Sequence, residues 1–322
     1  MAATLTEVAT RAEVSLATAS RVFKDPSLVS SKTRQRVMSA ATEIGYGGAT
    51  ANAERTFGVI VPDISNSVFA ALIKAIQTQA WYGRHRMLLA DTDEDTSREH
   101  EILQAMSHQV DGIVLCSPRL SAPLILQATG SLPLVIINGE ADHVASVLMD
   151  ADEGLGQAVE HLHALGHRKI VYVPGPVSSW ANVHRHAAVA RLCLERNVEL
   201  AVVGNQAATV LGGLAAAAAV VSSGATAVIA YNDLVALGVQ SGARTLGRRC
   251  PEDISVVGID DLDVAAVAQP GLTSVRVDIQ RSGSLGLEML LDQISGKPRA
   301  MGDVHLKSQL VVRQSTFPVL KI

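Results

Sequence analysis

The hydrophobic positions of this chain follow two different periods. Over residues 4–46 they are small, sparse and spaced three or four apart, the pattern of short helices that each bury one stripe. From residue 57 onward, short β-branched and aliphatic runs alternate with longer amphipathic segments, the pattern of strands joined by helices.

In the first region Thr4, Leu5, Thr6 and Glu7 spell a capping box: the Thr4 hydroxyl can accept from the Glu7 N–H while the Glu7 carboxylate reaches back. A helix begins there and buries Val8, Ala9 and Ala12, whose small size lets a second helix cross closely. Glu13 and Val14 make the turn, with Val14 as a buried plug. Ser15 then caps a second helix over 15–24 that turns Ala19, Val22 and Phe23 inward and leaves Leu16, Ala17, Thr18, Ser20, Arg21 and Lys24 outward. A third helix over 31–44 buries Val37, Ala40, Ala41 and Ile44 and shows Lys32, Arg34 and Arg36 to solvent. The sum is a helix-turn-helix with a polar, cationic second helix.

The second region predicts an α/β fold. Strands are expected at 57–62, 86–91, 112–116 and 134–138, with helices at 68–82, 96–108 and 122–127. A second series follows, with strands at 169–173, 200–203, 227–230 and 255–259 and helices at 153–165, 187–196, 214–221 and 234–246. Such alternation implies parallel sheets covered by helices on both faces, and two series imply two similar lobes. Ligands in open α/β sheets sit beyond the carboxyl ends of the strands. Polar residues gather at those ends: Asn66 with Phe69, Asp91, Ser117, Asn138, Ser179, Arg185, Asn232 and Asp260. Each Asp, Asn or Ser alone is equally readable as a helix cap, and Arg185 with Asp260 as an internal ion pair. Their recurrence favours a cleft.

Charge separates the same two regions. Residues 1–46 hold six Lys and Arg against four acids, a net of +2, whereas the remainder holds 21 against 27, a net of −6. A basic head on an acidic body points to a polyanion partner for the head alone. The 322 residues exceed one ordinary domain, and a hydrophobic content of 48% supplies a sizeable core. No apolar run is long enough to span a bilayer, and the N-terminus lacks a secretory signal. The three cysteines are far apart and odd in number. We therefore expect a cytoplasmic protein with no membrane association. No Cys/His cluster has metal-ligand spacing, and no nucleophile elbow, phosphate-binding loop or dinucleotide fingerprint is present. No metal, cofactor or enzymatic turnover is expected.

The head, through Thr4 to Ala9, Ala12, Val14-Ser15, Thr18, Ser20-Arg21-Val22, Val29-Ser30, Lys32-Thr33-Arg34, Val37 and Ile44-Gly45-Tyr46, resembles that of the lactose-repressor family of bacterial transcription factors. The body resembles the periplasmic-binding-protein-like core of the same family in residues 57–66, 110–113, 165–170, 232–238, 251–261 and 272–275. The resemblance implies a helix-turn-helix domain over 1–46, a linker over 47–56 and an effector-binding and dimerisation domain over 57–322. Lobe one would comprise about 57–148 and 278–305, and lobe two about 149–277 and 306–322, with crossings near Met149, Val277 and Leu306.

It also implies roles. Leu16, Ala17 and Arg21 would reach base edges; Thr6, Ser15, Thr18, Ser20, Ser30, Thr33 and Arg34 would face phosphates. Arg185, Asn232 and Asp260 match the family's effector-binding positions, a donor and acceptor set that can clamp vicinal hydroxyls. Several positions depart from the family. The linker lacks the proline and the leucine wedge of the family's hinge helix, Glu13 stands where relatives commonly have Gly, and Asn138-Gly139 and Val277 replace residues frequent in sugar-binding members. The expectation is a repressor that binds a palindromic operator in double-stranded DNA as a homodimer, without a coiled-coil tetramer, under the control of a small polar effector, a sugar or sugar-like molecule.

Overall fold

The computed structural model describes residues 3–24, 28–44, 46, 54–297 and 302–319; most of the linker, and with it the hinge-helix question, lies outside them. The head is three helices, α1 (Leu5–Arg11), α2 (Leu16–Lys24) and α3 (Ser31–Glu43). Each begins under a hydroxyl cap. Thr4 forms both halves of the capping box, Ser15 Oγ accepts from Thr18 N at 3.1 Å, and Ser30 Oγ accepts from Thr33 N at 3.3 Å. Val8, Ala9, Ala12, Ala19, Val22, Val37, Ala40 and Ala41 form the buried core, with Val14 and Ile44 partly buried against it. Phe23 corrects the sequence reading. A core of valine and alanine leaves no volume for a phenyl ring, so Phe23 stays 40% exposed and lies against Tyr46, ring centroids 5.5 Å apart. Arg36 is exposed but not idle, because it donates to the Glu13 carbonyl at 3.3 Å. That bond braces a turn in which Glu13 takes φ +50°, a left-handed backbone that glycine adopts more cheaply.

The body carries two six-stranded sheets. The first holds β1 (Thr56–Val61), β2 (Arg86–Asp91), β3 (Gly112–Cys116), β4 (Leu134–Ile137), β5 (Ala145–Met149) and β11 (Val304–Leu306), in the order β11-β5-β4-β3-β1-β2, all parallel. The second holds β6 (Lys169–Val173), β7 (Glu199–Val202), β8 (Ala227–Ala230), β9 (Ser255–Asp260), β10 (Thr273–Arg276) and β12 (Gln309–Val311), in the order β12-β10-β9-β8-β6-β7. It is parallel except for β12, which runs antiparallel to β10.

Around the first sheet lie α4 (Ser67–Tyr82), α5 (Thr96–Ser107), α6 (Ala122–Thr129) and α12 (Ile279–Ile294). Around the second lie α7 (Asp152–Ala164), α8 (Trp180–Glu195), α9 (Val210–Ser222), α10 (Asp233–Thr245) and the short α11 (Asp263–Val267). The chain passes between the sheets three times, after β5, β10 and β11. Two of these crossings, at Met149 and Val277, are buried in one hydrophobic cluster that continues into both lobes. The connections therefore bend on an apolar seam rather than on free loops. Sequence periodicity did not register β5, α11, α12 or β10 to β12, and it started α8 at residue 187 instead of Trp180.

Candidate effector cleft and DNA-reading head

Strand ends facing the junction carry left-handed residues that are not glycine. Asp93 and Glu94 follow β2 at φ +54° and +59°, Ser117 follows β3 at +45°, and Asn138 follows β4 at +57°. In the second lobe Asp260 ends β9 at +115°, and Asp261 follows at +56°. Such conformations cost energy and persist where the surrounding structure enforces them, and they gather at sites. Of these, Asp260 and Asp261 line a cavity between the lobes.

In the second lobe the side chains converge on Tyr231, just after β8. The buried Arg185 on α8 donates through Nη1 to the Tyr231 carbonyl at 2.7 Å and through Nη2 to Asp260 Oδ1 at 3.1 Å, with its guanidinium 5.0 Å from the Tyr231 ring centroid. The Tyr231 hydroxyl lies 3.0 Å from Ser179 Oγ, which also caps α8. Burial pushes the Arg185 pKa down, but the Asp260 carboxylate, together with the Tyr231 and Tyr172 side chains, more than offsets this and holds it above the ordinary value. Burial raises the Asp260 pKa, to about 6, against the pull of Arg185. Removing either partner would leave a buried charge, a loss of about 3–5 kcal/mol.

The first lobe contains a second buried arginine. Arg119, two residues beyond Ser117, donates to both Glu94 carboxylate oxygens, through Nε and, at 2.8 Å, through Nη2; its Nη1 donates to the Ser117 carbonyl at 2.7 Å. One guanidinium thus ties the left-handed ends of β2 and β3 together. Asn138 Nδ2 donates to Ser117 Oγ at 3.3 Å, and Asn138 Oδ1 and the Thr92 hydroxyl are buried with no protein partner. Those are polar atoms that a ligand hydroxyl can satisfy.

The sequence-predicted effector residues fall into groups. Arg185, Asp260 and Ser179 gather around Tyr231, and Ser117 joins Asn138. Asn232 caps α10, its Oδ1 accepting from Val235 N and its Nδ2 donating to the Ala208 carbonyl. Asn66 caps α4 by accepting from Val68 N, and Asp91 accepts from Ile64 N and Asp93 N. Phe69 lies in the hydrophobic core. Two cavities open at the junction. One of about 250 Å³ is lined by Glu140, Met149, Trp180, His184 and Arg185 among others; a larger one of about 810 Å³ is lined by Asp260, Asp261, Arg276 and residues of the crossings. The Arg185–Asp260 pair stands between them. Tyr231, Arg119 and Glu94 were missed from sequence. Tyr231 directly precedes Asn232 at a strand end, a position that could have marked it.

On α2, Leu16, Ala17 and Arg21 are exposed on one helical face. Thr6, Ser15 and Ser30 are exposed, Thr18, Ser20 and Thr33 are half-buried, and the half-buried Arg34 donates to the Val29 carbonyl at 3.2 Å. Among the described residues no group of His, Cys, Asp and Glu could hold a metal ion, and no helix is long and apolar enough to cross a membrane.

A helix-turn-helix joined to two parallel sheets around a polar junction defines a class, ligand-binding regulators with a DNA-binding head. The family described as bacterial regulatory proteins, lacI family, matches residues 4–47, and the periplasmic binding protein-like domain matches residues 159–316. The regulator MalR of Streptomyces coelicolor is 31% identical over 98% of this chain and 97% of its own; the repressor CytR of Escherichia coli is 29% identical over 98% and 96%. Among solved structures, the transcriptional regulator CelR in complex with cellobiose is 29% identical with a TM-score of 0.72, covering 97% of this chain and 99% of its own. A regulator from Enterococcus faecium with bound ribose is 27% identical with a TM-score of 0.74, covering 82% of this chain and all of its own. The chain belongs to the lacI family and is a DNA-binding transcriptional regulator.

Proposed function

We propose that the protein is a cytoplasmic repressor that binds a palindromic operator as a homodimer, and whose operator affinity is set by a small hydroxyl-rich effector, a sugar or sugar-like molecule, held between the two lobes. The observation that carries this reading is the buried Arg185–Tyr231–Asp260 constellation of the second lobe, with the unpartnered Asn138 and Thr92 oxygens at strand ends of the first. Together they offer the mixed donors and acceptors that hydroxyl pairs require. The ribose and cellobiose bound by two structural relatives support the same ligand class.

In this reading residues 1–46 read DNA, 47–56 connect, and 57–322 bind effector and dimerise. Leu16 and Ala17 offer apolar contact to thymine methyls and Arg21 takes a guanine. Thr6, Ser15, Thr18, Ser20, Ser30, Thr33 and Arg34 serve phosphates, five of them (Thr6, Ser15, Thr18, Ser30 and Thr33) at the cap or in the first turn of a capped helix, where anions are favoured. One head with a net charge of +2 binds weakly by itself, which favours paired heads on a two-fold site. The edge strand β2, with Leu88 and Leu89 both exposed, gives the first lobe apolar surface for a second copy.

Arg21→Ala tests the head. On a duplex carrying the preferred half-sites it should lose about 1–3 kcal/mol, with preference lost at one base pair per half-site. Undiminished preference at every position, measured by fluorescence anisotropy, would contradict the assignment.

A further inference from the structure

Among the described residues, a single side-chain hydrogen bond joins the first lobe to the second outside the crossings. Trp180 Nε1, at the start of α8, donates to Glu140 Oε2, beyond the end of β4, at 2.9 Å. The two ends differ in character. Trp180 is fixed from its own lobe: it packs against Ala181, Ala208 and Tyr231, its indole stacks on the His184 ring with centroids 3.7 Å apart, and its carbonyl lies 2.9 Å from His184 Nδ1. Glu140 is an exposed carboxylate at the edge of the other lobe. Both line the 250 Å³ cavity together with Arg185.

We infer that Trp180 and Glu140 form a latch across the cleft mouth, and that making or breaking it sets the balance between closed and open lobes. The inference rests on the reading of the cleft as the effector site. A packed donor facing an exposed, solvated acceptor gives a contact of modest strength, which suits an equilibrium that a ligand must be able to tip. Trp180 is also coupled to the site behind it. Its neighbour Ser179 holds the Tyr231 hydroxyl, and the Tyr231 carbonyl holds Arg185, so displacement of the indole is transmitted to the residues that would grip an effector. Opening the latch lowers the fraction of binding-competent protein and with it the apparent effector affinity.

The test needs no ligand. The chain has two tryptophans, and Trp81 is 78% exposed, so the full-length Trp81→Phe protein reports on Trp180 alone. In that background Glu140→Ala should raise acrylamide quenching of Trp180 and shift its emission to the red, whereas Glu140→Gln, which keeps an acceptor oxygen, should restore most of both. Unchanged quenching in Glu140→Ala overturns the latch. Operator binding by the same three proteins reads its consequence: a changed quenching constant with an unchanged operator affinity overturns the regulatory role. If none of the three binds DNA with sequence preference, the regulator reading fails, and the quenching result still decides whether the latch exists.

Discussion

Asp233, the first residue of α10, has no exposed surface, and burial pushes its pKa up to about 8, with the nearby Asp260 carboxylate adding to the rise. The Ser274 hydroxyl, donating at 2.6 Å, and the Leu262 N–H, donating at 2.7 Å, pull the other way without cancelling it. Relative to an ordinary value near 3.8, the folded state binds this proton more tightly than the unfolded state. The contribution is therefore fully present at acid pH and is lost as pH rises from about 4 to about 8. Asp233→Asn keeps the hydrogen bonds, since Ser274 Oγ can accept from an amide, and removes the titration. Its melting temperature should fall less than that of the parent between pH 5 and pH 8; parallel profiles in the two proteins would contradict this. At this scale the sequence located polar strand-end residues but could not say which were caps. Asn66, Ser179 and Asn232 are all caps in the structure. Nothing in local spacing distinguishes a cap from a ligand-facing side chain, because the two occupy the same position at a helix start.

Between elements, backbone approach decides what sequence pattern conceals. Gly213 on α9 and Gly238 on α10 face each other so closely that a Cβ on either would fall inside contact distance of the other helix's backbone carbonyl, that of Val235 or Val210. A methyl there has no flexible side chain to displace, so the helices must separate. Gly238→Ala should destabilise the protein by about 1–3 kcal/mol in chemical denaturation. A neutral effect would mean that the pair is looser than the structure has it. The same device hid α12 from the sequence reading. Gly283 lies against the Leu72 carbonyl and Ala75 of α4, and Gly286 against Ile137, so close packing put glycines where a helical pattern expects apolar side chains. The start of α8 was hidden differently. Its inward face there includes the buried polar residues Asn182 and Arg185, which break the apolar stripe on which periodicity depends. The long helices and central strands were legible because their hydrophobic runs face the core on a regular period.

At the scale of the whole molecule, three chain crossings, two of them buried in one hydrophobic cluster, join two lobes about a polar cleft, and a small basic head precedes them. Movement of the lobes becomes regulation only if each ligand state places the heads differently. The two-lobed plan and the basic head were readable from alternation and charge. The place of Tyr231 at the centre of its grouping was not, because that grouping joins residues 179 and 185, the cap and a member of α8, to residues 231 and 260 from two other βα units. Regulation of this kind depends on sequence-specific DNA binding by paired heads. Its most direct test is selection of bound sequences from a random duplex pool with the full-length protein at low salt. Paired heads should recover a palindrome with fixed half-site spacing. Enrichment no greater than nonspecific background, in both the absence and the presence of sugars such as ribose and cellobiose, would contradict it.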